Sequence, residues 1–67
     1  MVKVTVNGKK KEIKEPLDLA KFLQLLDINP RLIAVGYNGE VINRAQYSQV
    51  VLKDGDNIDI VHMVGGG

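Results

Sequence analysis

Three consecutive glycines, Gly65, Gly66 and Gly67, are the residues of this sequence with the clearest chemical use. Glycine has no Cβ, so a run of glycines can pass through a channel that is too narrow for any other residue. Extended at about 3.3–3.6 Å per residue, the run carries the carboxylate of Gly67 about 10 Å beyond the preceding strand. The pattern predicts a carboxylate that is delivered into the active site of a partner.

The chemistry open to that carboxylate is acyl activation. The reference pKa of an α-carboxylate is about 3.3–3.7, so the group is an anion at neutral pH. Such an anion can attack the α-phosphate of ATP, and a sulfur nucleophile can displace the resulting acyl adenylate. The alternative is a frayed tail without a function, since chain termini often lack order.

Other candidates for catalysis or metal binding are few. His62 is the single histidine, and no acid or nucleophile is paired with it in sequence, which favours a structural or surface role. Asp54, Asp56 and Asp59 lack the spacing and the closing glutamate of a calcium loop, and Asp54-Gly55-Asp56 is typical of a turn. The chain has no cysteine, so thiol chemistry has to come from a partner. We expect neither a bound metal nor a bound cofactor.

Charge and hydropathy argue against two classes of partner. Nine basic and eight acidic residues leave a net charge of +1 and a pI near 8.0, below that of a typical nucleic-acid-binding domain. No apolar stretch approaches the ~18 residues of a membrane span. Lys3 interrupts the apolar segment that a signal peptide needs. We therefore expect a cytoplasmic protein with neither nucleic acid nor membrane among its partners.

Alternation and turn residues predict two β-hairpins. The first strand shows a period of two in its valines, Val2, Val4 and Val6. Asn7-Gly8 then favours a type I′ turn into a return strand over residues 10–14. The same pattern recurs over residues 33–37, where Asn38-Gly39 makes the turn and Val41 begins the return.

A helix is expected between the hairpins, and a last strand after them. Asp18 is placed to cap the helix, and Asn29-Pro30 to end it, because a residue before proline avoids the helical region. The buried face of the helix has the spacing i, i+3, i+4, i+7: Leu19, Phe22, Leu23 and Leu26. Residues 44–49 are predicted as a helical turn or loop, and residues 50–52 as a brief edge strand. The last strand alternates at Ile58, Ile60, His62 and Val64.

These elements predict an α+β fold in which a mixed sheet of four to five strands carries one helix on one face. The first and last strands should lie side by side at the sheet centre, because both are long and apolar. Residues 1–64 are expected to form the domain, and residues 65–67 a flexible glycine tail.

The outer face of the sheet offers a second candidate surface. Successive side chains of a strand point to opposite faces. If the isoleucines of the last strand face the helix, the following residues of the third and last strands therefore lie on the outer face: Ala34, Gly36, Asp59, Val61 and Met63. An exposed valine and methionine beside small residues, next to the glycine tail, predict a docking patch at Ala34, Val61 and Met63. The alternative is scattered surface hydrophobes, which are common.

Several of these features occur together in one known family. The Asn-Gly turns, Asp54-Gly55-Asp56, the strand from Ile58 to Val64 and the ending Val64-Gly65-Gly66-Gly67 resemble the ThiS-type sulfur carriers of thiamine synthesis. The resemblance covers the whole chain and implies a ubiquitin-like β-grasp fold. Gly66 and Gly67 match the paired glycines of that family, while Gly65 lengthens the tether.

The resemblance implies that the chain is a substrate rather than an enzyme. An ATP-dependent adenylyltransferase of the ThiF type would activate Gly67, and sulfur from a cysteine desulfurase would convert it to a thiocarboxylate. A thiazole synthase of the ThiG type would then take the sulfur for the thiazole ring. Gly65 and Gly66 would thread the partner's active site, while the docking patch would contact the partner's surface.

Other functions remain open at this point. The sulfur carrier of molybdopterin synthesis has the same fold and the same Gly-Gly end, although it is usually longer. A β-grasp interaction module of the TGS type needs no free glycine terminus. A ubiquitin-like modifier would be joined through Gly67 to lysines of other proteins. An autonomous enzyme is disfavoured, because no set of acid, base and nucleophile emerges from the sequence.

Overall fold

Within residues 1–63, which the computed structural model describes, the chain forms five strands and one α-helix. The strands are β1 (Val2–Val6), β2 (Lys9–Ile13), β3 (Ile33–Tyr37), β4 (Glu40–Ile42) and β5 (Asn57–His62). The helix is α1 (Leu19–Leu25), and short 3₁₀ helices cover Pro30–Leu32 and Arg44–Gln49. Val64 and the predicted tail of Gly65, Gly66 and Gly67 lie outside the described residues. The division into a domain over 1–64 and a tail over 65–67 stays a prediction.

Both hairpins turn at the Asn-Gly pairs that the sequence indicated. The central residues have the positive φ that a type I′ turn requires: Asn7 50°, Gly8 81°, Asn38 50° and Gly39 89°. The return strand β2 runs one residue earlier than the predicted 10–14, because the two-residue turn places Lys9 directly opposite Val6.

β5 lies at the centre of the sheet. The strand order within residues 1–63 is β2-β1-β5-β3-β4. β5 runs parallel to β1, with Ile58 beside Val6, and antiparallel to β3, with Val61 opposite Ala34. The sheet is therefore mixed, and the predicted pairing of the first and last strands is confirmed.

The hydrophobic core lies between the inner face of the sheet and α1. Its buried sheet residues are Val2, Val4, Val6, Ile13, Ile33, Val35, Ile58 and Ile60, and α1 contributes Leu19, Phe22 and Leu23. Full burial of each such side chain stabilises the fold by about 1.5–3 kcal/mol. The described helix thus packs on one face of the sheet as predicted, and the opposite face is left to solvent.

α1 begins at its predicted cap and ends earlier than predicted. The Asp18 carboxylate accepts a hydrogen bond from the backbone N–H of Lys21 at 2.8 Å. Beyond Leu25 the backbone enters the left-handed region at Asp27, whose φ is 59°. The N–H of Ile28 donates to the carbonyl of Leu23 at 3.0 Å, which closes a Schellman motif. The prediction that Asn29-Pro30 ends the helix was wrong, since the chain has already left the helix at Asp27.

The connection between β4 and β5 packs under α1 rather than extending the sheet. Residues 44–49 form the predicted helical turn, and Tyr47 within it is buried. The predicted edge strand over residues 50–52 was wrong, because Val51 makes an isolated bridge with Asp18 and not a strand of the sheet. Backbone hydrogen bonds from Leu19 to Val50 and from Leu52 to Leu17 tie this segment to the start of the helix.

Candidate partner-docking surface

The outer face of β3, β4 and β5 gathers apolar residues whose positions follow from strand register. Ala34 of β3 lies opposite Val61 of β5, and Gly36 of β3 lies opposite Val41 of β4. Because side chains alternate between faces, all of them point away from α1. Together with Met63, just beyond β5, these residues define what we call the outer patch: Ala34, Gly36, Val41, Val61 and Met63.

The large side chains of the outer patch are open to solvent. Val41 is 83% exposed, Val61 61% and Met63 54%. The backbone N–H of Met63 donates to the carbonyl of Leu32 at 2.9 Å, which holds Met63 beside the start of β3. Leu32 itself is 57% exposed. Four of the seven exposed large apolar side chains within residues 1–63 thus lie on or next to one sheet face, an arrangement typical of an interaction site.

Between the valines of the outer patch runs a shallow groove. Its volume is about 260 Å³, and its lining includes Ala34, Gly36, Val41, Asp59 and Val61. Ala34 and Gly36 form the floor because their side chains are small or absent. The groove is lined almost wholly by apolar atoms. Its charged lining residues are Asp59, whose side chain register places on this face, and Glu40.

A buried carboxylate, that of Asp56, fixes the turn beside the outer patch. We call Asp56 and its partners Tyr37, Asn38 and Lys53 the Asp56 hub. Asp56 is only 6% exposed. It accepts hydrogen bonds from the Tyr37 hydroxyl at 2.6 Å, the Lys53 backbone N–H at 2.7 Å and the Asn38 side-chain amide at 3.2 Å. The side-chain oxygen Oδ1 of Asn38 in turn accepts from the backbone N–H of Asn57 at 2.8 Å. The hub therefore joins the β3–β4 turn to the start of β5.

Contacts within the hub shift the pKa values of Asp56 and Tyr37 in opposite directions. Burial opposes ionisation of Asp56, but hydrogen bonds from Tyr37, Lys53 and Asn38 outweigh it and hold the pKa of Asp56 below its usual value. Burial, together with the hydrogen bond to Asp56, raises the pKa of Tyr37 to about 12. At neutral pH the pair is thus a neutral phenol donating to a carboxylate, and its role is structural.

Asn7 positions the second half of β5. Its side chain accepts a hydrogen bond from the Ile60 N–H at 2.7 Å and donates to the Ile60 carbonyl at 3.2 Å. In this way the amide group of Asn7 continues the β1–β5 ladder after the backbone of β1 has turned away. The segment of β5 that carries Val61 is therefore held on both sides, by Asn7 and by β3.

The described residues show no constellation for catalysis by the chain itself. His62 is exposed at the end of β5, as the sequence indicated. Within residues 1–63 no group of three or more His, Cys, Asp or Glu side chains is placed to hold a metal ion. No helix in that part of the chain is long and apolar enough to span a membrane.

The structure brings together two of the predicted docking residues and adds one that the sequence reasoning missed. Ala34 and Val61 are direct neighbours, and Met63 follows two residues after Val61. Val41 was missed, although the two-residue turn at Asn38-Gly39 pairs it with Gly36 and so places it on the outer face. That these residues dock a partner stays a prediction, as do the roles of Gly65, Gly66 and Gly67, which lie outside the described residues.

Comparison with known sequences places the chain in one family. The model of the ThiS family matches residues 4–67. The Bacillus subtilis protein named sulfur carrier protein ThiS is 37% identical over 65 residues, which cover 92% of this chain and 96% of that protein. Two proteins named thiazole synthase, from Paramagnetospirillum magneticum and Magnetococcus marinus, are 32% and 35% identical over 66 residues. This chain spans only about a fifth of the length of those two relatives, 20% in each case.

Solved structures give the same assignment. The crystal structure of thiamine biosynthesis protein ThiS from Geobacter metallireducens matches with a TM-score of 0.86 and 32% sequence identity, over 98% of this chain and 100% of that one. A solution structure of a thiamine biosynthesis protein from the same organism matches with a TM-score of 0.80. The predicted β-grasp fold is confirmed, and the chain belongs to the ThiS family.

Proposed function

We propose that this chain carries sulfur for thiamine biosynthesis on the carboxylate of Gly67. The observation that carries the proposal is the family match over residues 4–67, together with a relative of nearly equal length that is named as a sulfur carrier. The Geobacter metallireducens relatives are named thiamine biosynthesis proteins, which favours the thiamine pathway over molybdopterin synthesis.

The proposed reaction uses groups that a partner supplies. The Gly67 carboxylate attacks the α-phosphate of ATP, pyrophosphate leaves, and an acyl adenylate forms on an adenylyltransferase of the ThiF type. A persulfide from a cysteine desulfurase then displaces AMP, and a second thiol cleaves the sulfur–sulfur bond to leave a thiocarboxylate. The chain is a substrate in these steps and not an enzyme. It binds no cofactor of its own, and the ATP is consumed by the partner.

The outer patch is proposed to supply the binding energy that the glycines cannot. Ordering Gly65, Gly66 and Gly67 in a partner's channel costs about 1–2 kcal/mol for each residue. Burying an apolar side chain that was fully exposed returns about 1.5–3 kcal/mol. Val41, Val61 and Met63 are 83%, 61% and 54% exposed, so burial of all three returns about 3–6 kcal/mol, the same size as the cost of ordering three glycines. A tail without the outer patch would bind weakly.

A thiazole synthase is the proposed recipient of the sulfur. Two proteins of that name contain a segment that matches 98% of this chain, which supports the pairing. The adenylyltransferase and the desulfurase follow from the family resemblance. A cytoplasmic location, with no nucleic acid or membrane among the partners, stays a prediction.

Intact mass spectrometry tests the carrier chemistry directly. The untagged chain is incubated with the adenylyltransferase of its own organism, ATP, a cysteine desulfurase, cysteine and a thiol. We expect a species heavier by the exchange of one oxygen for sulfur, which fragmentation assigns to Gly67. The variant Gly67→Ala should give sharply less of it. An unmodified mass for the wild-type chain under these conditions would refute the proposal.

A pair of valine variants tests the role of the outer patch. Val61→Asp places a charge in the patch, while Val51→Asp makes the same change at a valine that is 51% exposed elsewhere on the surface. We expect Val61→Asp to slow formation of the thiocarboxylate and Val51→Asp to leave it near the wild-type rate. Equal rates for both variants would show that the tail alone directs the reaction.

A further inference from the structure

Asp59 is a charged residue among the apolar side chains of the outer patch. It lies on β5 opposite Gly36 and two residues before Val61, so it shares the outer face with both. Its side chain is exposed. The side-chain hydrogen bonds found within residues 1–63 leave its carboxylate unused. Since successive residues on one face lie about 7 Å apart, a partner that covers Val61 covers Asp59 as well.

The absence of a side chain at Gly36 opens the space next to this carboxylate. A Cβ built at Gly36 would lie 3.8 Å from the Cβ of Asp59 and 3.9 Å from the carbonyl oxygen of Glu40. These are ordinary contact distances, so the fold does not require glycine here. What glycine provides is depth, because any larger side chain would fill the groove that leads from Ala34 to Asp59.

Electrostatics decide what can occupy this groove. Covering an ionised carboxylate with apolar atoms is strongly unfavourable unless a cation or a set of hydrogen-bond donors meets it. A long basic side chain satisfies both parts of the site, because its methylene stem packs on apolar surface while its charged head reaches out. Arginine fits best, since its planar guanidinium can donate two parallel hydrogen bonds to one carboxylate.

The lysines that share the sheet do not oppose such a contact. Lys3, on β1, lies beside Gly55, four residues before Asp59. Lys9, Lys10 and Lys11 lie on β2, at the far edge of the sheet from β4. Two strand spacings separate β2 from β5, which carries Asp59, a distance of roughly 10 Å at about 4.8 Å each. This exceeds the Debye length of about 8 Å at physiological salt, so repulsion from β2 is largely screened.

We infer that the outer patch recognises a thiazole synthase surface on which an arginine or lysine stands among apolar side chains. The stem of that residue lies over Ala34 and Gly36 between Val41 and Val61, and its head pairs with Asp59. The inference rests on the proposed function, which supplies the thiazole synthase as partner. It adds the charge that this partner must present and the residue that selects for it.

Equilibrium binding to the thiazole synthase of the same organism tests this assignment. Isothermal titration calorimetry compares the wild-type chain with Asp59→Asn, which keeps the shape of the side chain and removes its charge. The matched control is Asp27→Asn, the same change at an exposed position on the opposite side of the domain, where asparagine also tolerates the positive φ. We expect Asp59→Asn to bind about 10-fold to 100-fold more weakly, and Asp27→Asn to bind as the wild type does.

A second variant probes the groove without changing any charge. Gly36→Val fills the floor with a residue that strands favour, so its thermal unfolding should stay near that of the wild type while its affinity falls by at least about 10-fold. Raising the salt concentration should weaken the wild-type complex more than the Asp59→Asn complex.

The outcomes separate this inference from the proposed function. Thiocarboxylate formation needs no thiazole synthase, so its mass shift reports on the carrier chemistry alone. If the thiocarboxylate forms and Asp59→Asn binds within about twofold of the wild type, the assignment of Asp59 is overturned and the carrier function stands. The same holds if the wild-type chain does not bind the thiazole synthase at all. If no thiocarboxylate forms, the proposed function fails.

Discussion

Replacing Tyr37 by phenylalanine tests whether the Asp56 hub holds the β3–β4 turn in place. The change removes one hydroxyl group and leaves the ring. The lost contact is short, 2.6 Å between the Tyr37 oxygen and Asp56 Oδ2, and its acceptor is charged. Hydrogen bonds to charged groups contribute about 1.5–3 kcal/mol. Because Tyr37 is only partly buried and Asp56 keeps its other donors, we expect a loss of about 2 kcal/mol.

Thermal and chemical unfolding measure this loss. In a domain of 60–100 residues, 1 kcal/mol corresponds to about 4–8 °C, so the Tm of Tyr37→Phe should fall by about 8–16 °C. The midpoint of urea unfolding should fall as well, while the slope m stays constant, because the exposed surface of the unfolded chain does not change.

The same hydrogen bond predicts a dependence on alkaline pH. The pKa of Tyr37 is raised to about 12, whereas an unfolded chain loses the phenol proton near the reference value of about 10. The stability that Tyr37 provides is thus complete below pH ~10 and is lost as the pH rises from about 10 to about 12. The difference between the wild type and Tyr37→Phe isolates the phenol, because the two proteins differ only in that hydroxyl group. That difference should shrink over this interval.

On the acid side the sign is reversed. The pKa of Asp56 is lowered in the fold, so its contribution is present above the unfolded pKa of about 3.9 and is lost as the pH falls through the folded value. In Tyr37→Phe the pKa of Asp56 moves back toward its usual value. Acid unfolding of the variant should therefore begin at a higher pH than acid unfolding of the wild type.

Tyr47→Phe is the matched control. The ring of Tyr47 is buried, but its hydroxyl makes no side-chain hydrogen bond within residues 1–63. No buried side-chain oxygen or nitrogen of those residues lacks a partner, so the hydroxyl reaches solvent. Loss of that hydroxyl should change the free energy of unfolding by less than about 0.5 kcal/mol. The reasoning about the hub would be refuted if Tyr37→Phe and Tyr47→Phe were equally stable.

Three further variants test local features of the backbone, and urea unfolding measures their stability. Asn7→Gly keeps the positive φ of the first turn but removes the side-chain bonds to Ile60, and it should cost about 1–3 kcal/mol; an unchanged midpoint would mean that β5 needs no support there. Asp27→Gly relieves a left-handed backbone and should stabilise the fold by about 0.5–1 kcal/mol; a loss of stability would contradict the strain argument. Asp18→Ala removes the cap on the Lys21 amide and should cost about 0.5–2 kcal/mol, while Asp18→Asn, an equally good cap, should stay near the wild type; equal losses would rule out capping as the cause.

The sequence was sufficient for the features that local chemistry controls. Both Asn-Gly pairs predicted their turns, because few other residues accept two successive positive φ values. The valines of β1 and the isoleucines of β5 predicted which faces are buried, since a strand alternates its side chains. From these two facts alone the position of Val61 on the outer face could be derived, and the register of the second turn would also have yielded Val41.

The features that escaped prediction depend on contacts distant in sequence or on uncommon conformations. Asp56 was interpreted as a turn residue, and nothing local indicates that Tyr37 and Asn38, 19 and 18 residues away, converge on it. The end of α1 at Asp27 was missed because aspartate enters the left-handed region far less often than glycine does. Residues 50–52 resembled an edge strand, and only tertiary packing shows that they pair beside the start of the helix instead.

The central position of β5 bears on how the protein is made. A nascent chain that has not yet produced β5 has two separate hairpins, because β5 lies between β1 and β3 in the sheet of the described residues. An isolated hairpin is at best marginally stable in water, so folding has to wait until the last of these strands has left the ribosome. A chain that is terminated before β5 stays unfolded and is exposed to proteases. Truncated chains therefore do not give folded domains that present part of the outer patch to a partner but lack β5 and the residues after it.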